Sequence, residues 1–423
     1  MLTADDDGRV CRDIPDSACR QQPGNFLIHV GSLAATKAGD GLADPKLVLA
    51  ALMLSLGAPP ALVGLLVPIR EAGSLLPQPI VAAAIRRRQQ RKWVWAAGSA
   101  VQGLGVFGIA LAALLLEGAS AGWVMLACLA VFAAARSACS VSYKDVLGKT
   151  VDRRNRGTAT GTAKSLAAIV VLAFGAMLTL GWLPSTPPAL AGVLGVAGLL
   201  WLLAAASFLR LAEAPGETGG GGNALRVAFE QIGWLRRDGE LRRYIGTRAL
   251  LLATALAPPY LLAASGDDSG VADALGGFVI ASAAAALCSS YLWGRLADRS
   301  SRRTLMLAAT LSGTSLSTAA LLAGDRLFGL DLSQAAPWLL FVLMLAYQGV
   351  RLGRSTHLID MADERTRAPY TAIANTVIGL LLLGASAVAL LAASLGLVAV
   401  LWLFAGASWL AVVAAARLSE VQA

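Results

Sequence analysis

The chain has 423 residues, 57% of them hydrophobic and 14% charged, and a formal charge of +9. Soluble domains carry about 25% charged residues, so this deficit excludes an ordinary soluble enzyme. A nucleic-acid surface is excluded too. The basic residues lie in short segments between apolar blocks such as 93–117, 189–210 and 395–416, where they act as topology signals and contacts for anionic lipid.

A bilayer core about 30 Å thick takes about 20 apolar residues per helix, and each block supplies one crossing. The blocks lack strand alternation, so they read as helices and not as an outer-membrane barrel. Residues 1–25 are polar and form an N-terminal tail without the apolar core of a cleavable signal. Cys11 and Cys19 in that tail have no metal-type spacing, and Cys128, Cys139 and Cys288 fall in apolar blocks. A disulfide framework is therefore not expected. Helices are expected near 26–54, 60–84, 93–116, 121–143, 159–183 and 188–212. A linker covers 213–241, and six more helices follow near 242–264, 271–293, 303–324, 336–357, 369–393 and 395–416, with a tail at 417–423. The expected fold is all-α: twelve transmembrane helices in two six-helix bundles, 26–212 and 242–416.

The loops alternate sharply in charge. One set carries Arg86–Arg88, Arg91 and Lys92; Lys149, Arg153, Arg154 and Arg156; Arg236, Arg237, Arg242 and Arg243; Arg295, Arg299, Arg302 and Arg303; and Arg365 and Arg367. The other set holds a single basic residue, Arg326. The positive-inside rule assigns the first set and both termini to the cytoplasm of a bacterial inner membrane. The linker opens with the flexible run Gly219–Gly222. Beyond it, Leu225, Phe229, Ile232 and Leu235 share one face of an amphipathic helix expected to lie on the membrane surface. The halves echo each other where 156–164 and 367–375 enter the fifth and eleventh helices from basic loops. Repeated six-helix halves are a transporter architecture, with the substrate site at mid-membrane between them.

Between the eighth and ninth helices stands Gly294-Arg-Leu-Ala-Asp298-Arg-Ser-Ser-Arg302-Arg303, preceded by Trp293. This decapeptide resembles the loop signature of the major facilitator superfamily, and the six-plus-six layout resembles that family over the whole chain. The stretches around 36–45 and 144–150 also resemble uncharacterised bacterial permeases of that superfamily. The resemblance implies that Gly294 lets helices approach, that Asp298 caps a neighbouring helix N-terminus, and that Arg302 and Arg303 hold a cytoplasmic gate. Between the second and third helices, where family members usually carry the better copy of this loop, the chain reads 83-AAIRRRQQRK-92. The glycine and aspartate are missing there.

Ionisable side chains at mid-bilayer cost about 2.5 kcal/mol or more each, so they mark functional candidates. The first helix holds Lys37, Asp40, Asp44 and Lys46; the first three fall within about 60° of one another at 100° per residue, near Gly39, Gly41 and Pro45, which would loosen the helix. Arg70 and Glu71 follow on the second helix, then Arg136, Lys164 and Arg248. Asp40, Asp44 and Glu71 are the proton-coupling candidates. Lys37, Arg70, Arg136, Lys164, Arg248 and Asn375 are the substrate-binding candidates for an anionic or zwitterionic solute. Lys144, Asp145, Arg351 and Arg354 lie nearer the cytoplasmic ends, where Arg351 and Arg354 join the gate set. Permanent ion pairs that fix helix packing are the alternative explanation for any one of these charges.

His29 and His357 are the only histidines, which argues against a metal site or a Ser-His-Asp arrangement, and no Gly-x4-Gly-Lys-Ser/Thr loop is present. The expected protein is a monomeric, proton-coupled secondary transporter of a small solute, working by alternating access, with no cofactor and no enzymatic activity. A non-transporting assembly factor or sensor with a transporter fold, or an amphiphile flippase, are the alternatives. A pure scaffold has little reason to bear so many buried charges.

Overall fold

A computed structural model describes residues 11, 14, 16–216, 218, 233, 235, 237–266, 270–324, 331–363 and 366–422, and every ordered element in them is helical. The elements group into twelve crossings. The first comprises Asp16–Leu42 and, after a break, Val48–Ser55; the second comprises Pro60–Val63, Leu66–Leu75 and Gln78–Ile85. The third to sixth are Lys92–Leu115, Gly118–Thr150, Arg153–Thr179 and Pro187–Leu209. The seventh is broken into Gly239–Leu250, Ala253–Leu256 and Pro258–Ala264. The eighth to tenth are Gly270–Arg299, Ser301–Gly324 and Leu332–Met361. The eleventh is Arg367–Gly384 with Ser386–Leu395, and the twelfth is Leu397–Ala416. Among the described residues nine helices are individually long and apolar enough to span a bilayer, and the bent eighth makes ten. The first two crossings are interrupted and carry charges, which keeps them below that mark.

Leucines and tryptophans such as Leu104, Leu111, Leu203, Trp182 and Trp338 lie exposed on the outer surface. In water such a belt would drive association; in lipid it is the outer face of a multi-pass membrane protein.

The breaks follow from proline and glycine. Pro45 has no N–H to donate back along the first crossing, and the helix stops at Leu42 and restarts at Val48. The freed groups find local partners, as a lipid-embedded chain requires. The Lys46 N–H donates to the Asp44 carboxylate at 2.7 Å, and the Leu49 N–H to the Asp44 carbonyl at 3.0 Å. Pro68, Pro77 and Pro79 divide the second crossing in the same way, and Pro258 and Pro259 the seventh.

Contacts within the two halves repeat each other. The third crossing packs on the fourth and sixth, and the ninth packs on the tenth and twelfth. The second packs on the fourth as the eighth does on the tenth; the first packs on the fifth and sixth as the seventh does on the eleventh and twelfth. Between halves, the fifth meets the eighth and the second meets the eleventh, again as a symmetric pair. The halves are therefore two copies of one six-helix unit related by a pseudo-two-fold axis.

At the end that bears the basic loops, the buried Glu213 carboxylate accepts the N–H groups of Arg91 (3.0 Å) and Lys92 (2.8 Å) and the Lys149 ammonium (3.2 Å). Asp145 pairs with Arg91 and, at 2.9 Å, with Lys149. These contacts tie the chain leaving the sixth crossing to the third and fourth. Both histidines are buried in helix contacts, His29 with Thr150 (2.8 Å) and His357 with Ser301 (2.9 Å).

Two expectations change near the N-terminus. The first helix begins at Asp16 and not near residue 26, so much of the expected tail is helical. Cys11 is disulfide-bonded to Cys19, contrary to expectation. Cys11 lies beside the first helical turns with its Cα 6.0 Å from that of Cys19, an approach that a spacing of eight residues does not reveal. The amphipathic linker helix expected at 223–240 lies outside the described residues apart from its last positions.

Candidate functional site: a charged cavity between the halves

A cavity of about 1050 Å³ lies between the two halves. On one side it is lined by the broken first crossing and by the second, fourth and fifth, and on the other by the eighth and tenth. Its wall reaches Gly157 and Thr160 in the first turns of the fifth crossing and Ser355 near the end of the tenth, both toward the basic end. On the far side the halves are in contact. A Cβ added to Gly276 would sit 2.7 Å from the Thr179 backbone nitrogen, and one on Gly175 would sit 2.9 Å from the Ile280 side chain. Only glycine permits that approach of the fifth and eighth crossings.

The lining holds three acidic side chains (Asp40, Asp44, Glu71) and seven basic ones (Lys37, Lys46, Arg70, Arg136, Lys164, Arg351, Arg354). The formal excess is four positive charges. Asp40 is the counter-ion of two arginines: its Oδ1 accepts from Arg70 Nη2 at 3.0 Å and its Oδ2 from Arg136 Nη2 at 2.7 Å. The Arg70 guanidinium also rests 4.7 Å from the centre of the Phe132 ring, a cation–π contact that holds it toward the fourth crossing. Asp44 accepts a backbone N–H and, like Glu71, makes no ion pair among the described residues. Lys46 lies against the face of Tyr347 with its Nζ 3.5 Å from the ring centre, joining the first crossing to the tenth. Arg351 approaches the same ring at 5.8 Å.

The structure thus brings together in one cavity Lys37, Asp40, Asp44, Arg70, Glu71, Arg136 and Lys164. Arg351 and Arg354, expected at a gate, also face it. Arg248 and Asn375 do not line it. Arg248 is buried and donates to Asn375 Oδ1 at 3.1 Å, and Asn375 Nδ2 donates to Gln78 Oε1 at 3.3 Å. That polar chain links the seventh and eleventh crossings to the second. It sits in the contact between halves, because Arg248 points into the packed seam behind the cavity wall.

In the signature loop, Trp293 is buried and donates to the Leu345 carbonyl at 2.9 Å, and Gly349 makes room for its ring. Gly294 has open space around it, and Asp298 is exposed with no hydrogen-bond or ion-pair partner among the described residues. Neither makes the close contacts that the resemblance implies. Arg302 pairs with Glu420 of the C-terminal segment at 3.5 Å, and Arg303 is exposed. Among the described residues, Asp298, Arg302 and Arg303 make no hydrogen bond or ion pair to the N-terminal half.

Sequence reasoning named Lys46 without giving it a role, and it passed over Tyr347. Tyr347 stands four residues before Arg351, so the two share a helix face; that spacing was the available signal.

No family model matches the chain, and no curated protein matches its sequence. Solved structures do match. A mutant of the nucleoside transporter NupG superposes with a TM-score of 0.69 at 12% identity, covering 94% of this chain and 100% of that one. The chain shares the fold of that structure. The xylose transporter XylE from E. coli, in an inward-open conformation, gives 0.64 at 9% identity, with 94% and 96% covered. The E. coli fucose:proton symporter FucP gives 0.56 at 14% identity, with 93% and 98% covered. The chain therefore shares the fold of these solved structures over nearly its whole length, in keeping with the layout that the signature decapeptide implies.

Proposed function

We propose that the chain is a proton-coupled secondary transporter that moves a small anionic solute across the bacterial inner membrane by alternating access. The observation that carries this reading is the cavity between the halves, with its excess of four formal positive charges. Placing so many charges at membrane depth is costly, and an interior that is net positive is completed by an anion. The solved structures of similar fold include transporters of sugars and nucleosides, which supports the class of activity but names no substrate for this chain.

Under the positive-inside rule the basic end is cytoplasmic, so the cavity faces the cytoplasm in this conformation. Opening to the other side requires the basic end to close and the Gly175–Ile280 and Gly276–Thr179 contacts to part. Gly294, Asp298, Arg302 and Arg303 would form their gate contacts in that second state. Among the carboxylates, Asp40 serves as counter-ion to Arg70 and Arg136, which leaves Asp44 and Glu71 as the proton carriers. The position of Lys46 on Tyr347 links both of them to the tenth crossing.

Uptake into proteoliposomes decides the matter. Labelled organic anions should enter vesicles containing the protein faster than protein-free ones, and an imposed pH gradient should drive accumulation. Absence of flux for a broad panel of organic anions would remove the reading; flux indifferent to the pH gradient would remove its proton coupling.

A further inference from the structure

The three carboxylates do not neutralise the cations of the cavity evenly. Asp40 is engaged by Arg70 and Arg136, and Lys46 is held at Tyr347 near Asp44. Arg354 lies in the attractive field of Glu71, more strongly than Arg351 does; Lys37, Lys164 and Arg351 remain, and none of them makes a hydrogen bond or an ion pair among the described residues. They come from the first, fifth and tenth crossings, two from one half and one from the other, and all three face the same space. Lys37 lies in the attractive field of Asp40 and in the repulsive fields of Arg136, Arg351 and Lys164, and Lys164 lies within that of Arg351, so these cations line one space as one group and not as scattered charges. Like charges gathered across a cavity hold it open unless something of opposite sign is placed among them.

We infer that the substrate carries a compact doubly charged oxyanion, of the phosphate-monoester kind, which binds among Lys37, Lys164 and Arg351 and bridges the two halves. This rests on the reading of the chain as an anion transporter and narrows it. One negative charge leaves the group strongly positive, whereas two nearly balance it. Arginine and lysine ammonium groups are the usual partners of such oxyanions. At about 1050 Å³ the cavity matches the upper end of pockets that take drug-sized ligands (roughly 300–1,000 Å³), so the head is attached to an organic body. Tyr347, Met344 and Val171 offer that body apolar surface. Because the anion replaces repulsion between halves with attraction, its binding also favours closure of the basic end.

The test uses the full chain in lipid nanodiscs at pH 8, where a phosphate group with a second pKa near 6 is a dianion. Inorganic phosphate, phenyl phosphate and benzoate are compared by thermal stabilisation at equal ionic strength. Both phosphates should stabilise the protein, and phenyl phosphate should bind at least about tenfold more tightly than benzoate, since one added charge among close cations is worth that much or more. Lys164→Gln and Arg351→Gln each alter an exposed cavity side chain and should leave the fold intact. Each should weaken phenyl phosphate about tenfold and benzoate by clearly less. Equal affinity for phenyl phosphate and benzoate, or a preference unchanged in both variants, overturns the dianion inference while leaving anion transport standing. Failure of either phosphate to stabilise also overturns it. Loss of all organic-anion flux in proteoliposomes would instead overturn the underlying function.

Discussion

Replacing Asp40 with Asn isolates the strongest ionic contact in the cavity. The variant keeps the shape of the side chain but removes the charge that Arg70 and Arg136 share at 3.0 and 2.7 Å. Breaking one partner of a fully buried pair costs about 3–5 kcal/mol, because a buried charge is left alone. Here the Asp40, Arg70 and Arg136 side chains are 23%, 14% and 23% exposed, so water in the cavity screens part of that loss. The low end of the range, about 3 kcal/mol, is therefore expected even though two arginines lose their partner. Melting of the purified protein, followed through its ten tryptophans, should show a clear fall in transition temperature for Asp40→Asn. The double variant Asp40→Asn/Arg136→Met removes one of the orphaned cations and should recover part of the fall. Lys37→Met in place of Arg136→Met should recover less, since Lys37 makes no ion pair with Asp40. An Asp40→Asn protein that melts with the wild type, or rescue by Lys37→Met equal to that by Arg136→Met, would refute the assignment of Asp40 as a structural counter-ion.

Asp44→Asn and Glu71→Gln should each retain anion exchange in proteoliposomes, and at least one should lose accumulation driven by a pH gradient; full coupling in both would exclude them as proton carriers. Gly276→Leu places a side chain against the Thr179 backbone and should cost about 1–3 kcal/mol by overpacking. It should also make cysteines introduced near that contact more accessible to impermeant reagents from the far side, and unchanged accessibility would count against a closed far gate. At the start of the seventh crossing, burial pushes the Asp238 carboxyl up, but hydrogen bonds from Tyr370 and from the N–H groups of Leu241 and Glu240 outweigh it and leave it below the ordinary carboxylate value. Its contribution is therefore full above about pH 4, the unfolded carboxylate value, and fades as pH falls through the lower folded one; Asp238→Ala should destabilise by about 1 kcal/mol at pH 7, with a smaller gap from wild type near pH 3. Reporter fusions after Gly118 and Gly266 should read as periplasmic and one after Gln89 as cytoplasmic, and any reversal would break the assignment of the basic loops to the cytoplasm.

The sequence alone determined the crossings and the all-α class, because lipid demands long apolar runs with internally bonded backbone and leaves no other way to arrange 57% hydrophobic residues. It also exposed the charged stripe of the first helix, since residues 37, 40 and 44 share a face whatever they pack against. Pro45 and its neighbouring glycines announced the break beside them. What sequence could not supply was the pairing of charges from different crossings. Helical periodicity fixes which side chains share a face but not which helices meet. Asp40 was as plausible a partner for Lys37, three residues away, as for Arg70 and Arg136, and only packing of the first crossing against the second and fourth settled it. The same limit placed Arg248 and Asn375 in the expected substrate site, whereas the tertiary structure set them in the seam between halves with Gln78. It also hid the cation–π contact of Lys46 with Tyr347, since those residues are 301 positions apart and meet only because the halves close around one cavity. The Cys11–Cys19 bond and the unengaged Asp298 have the same origin. Each depends on which parts of the chain come together or stand apart in one conformation, and local sequence carries no record of that.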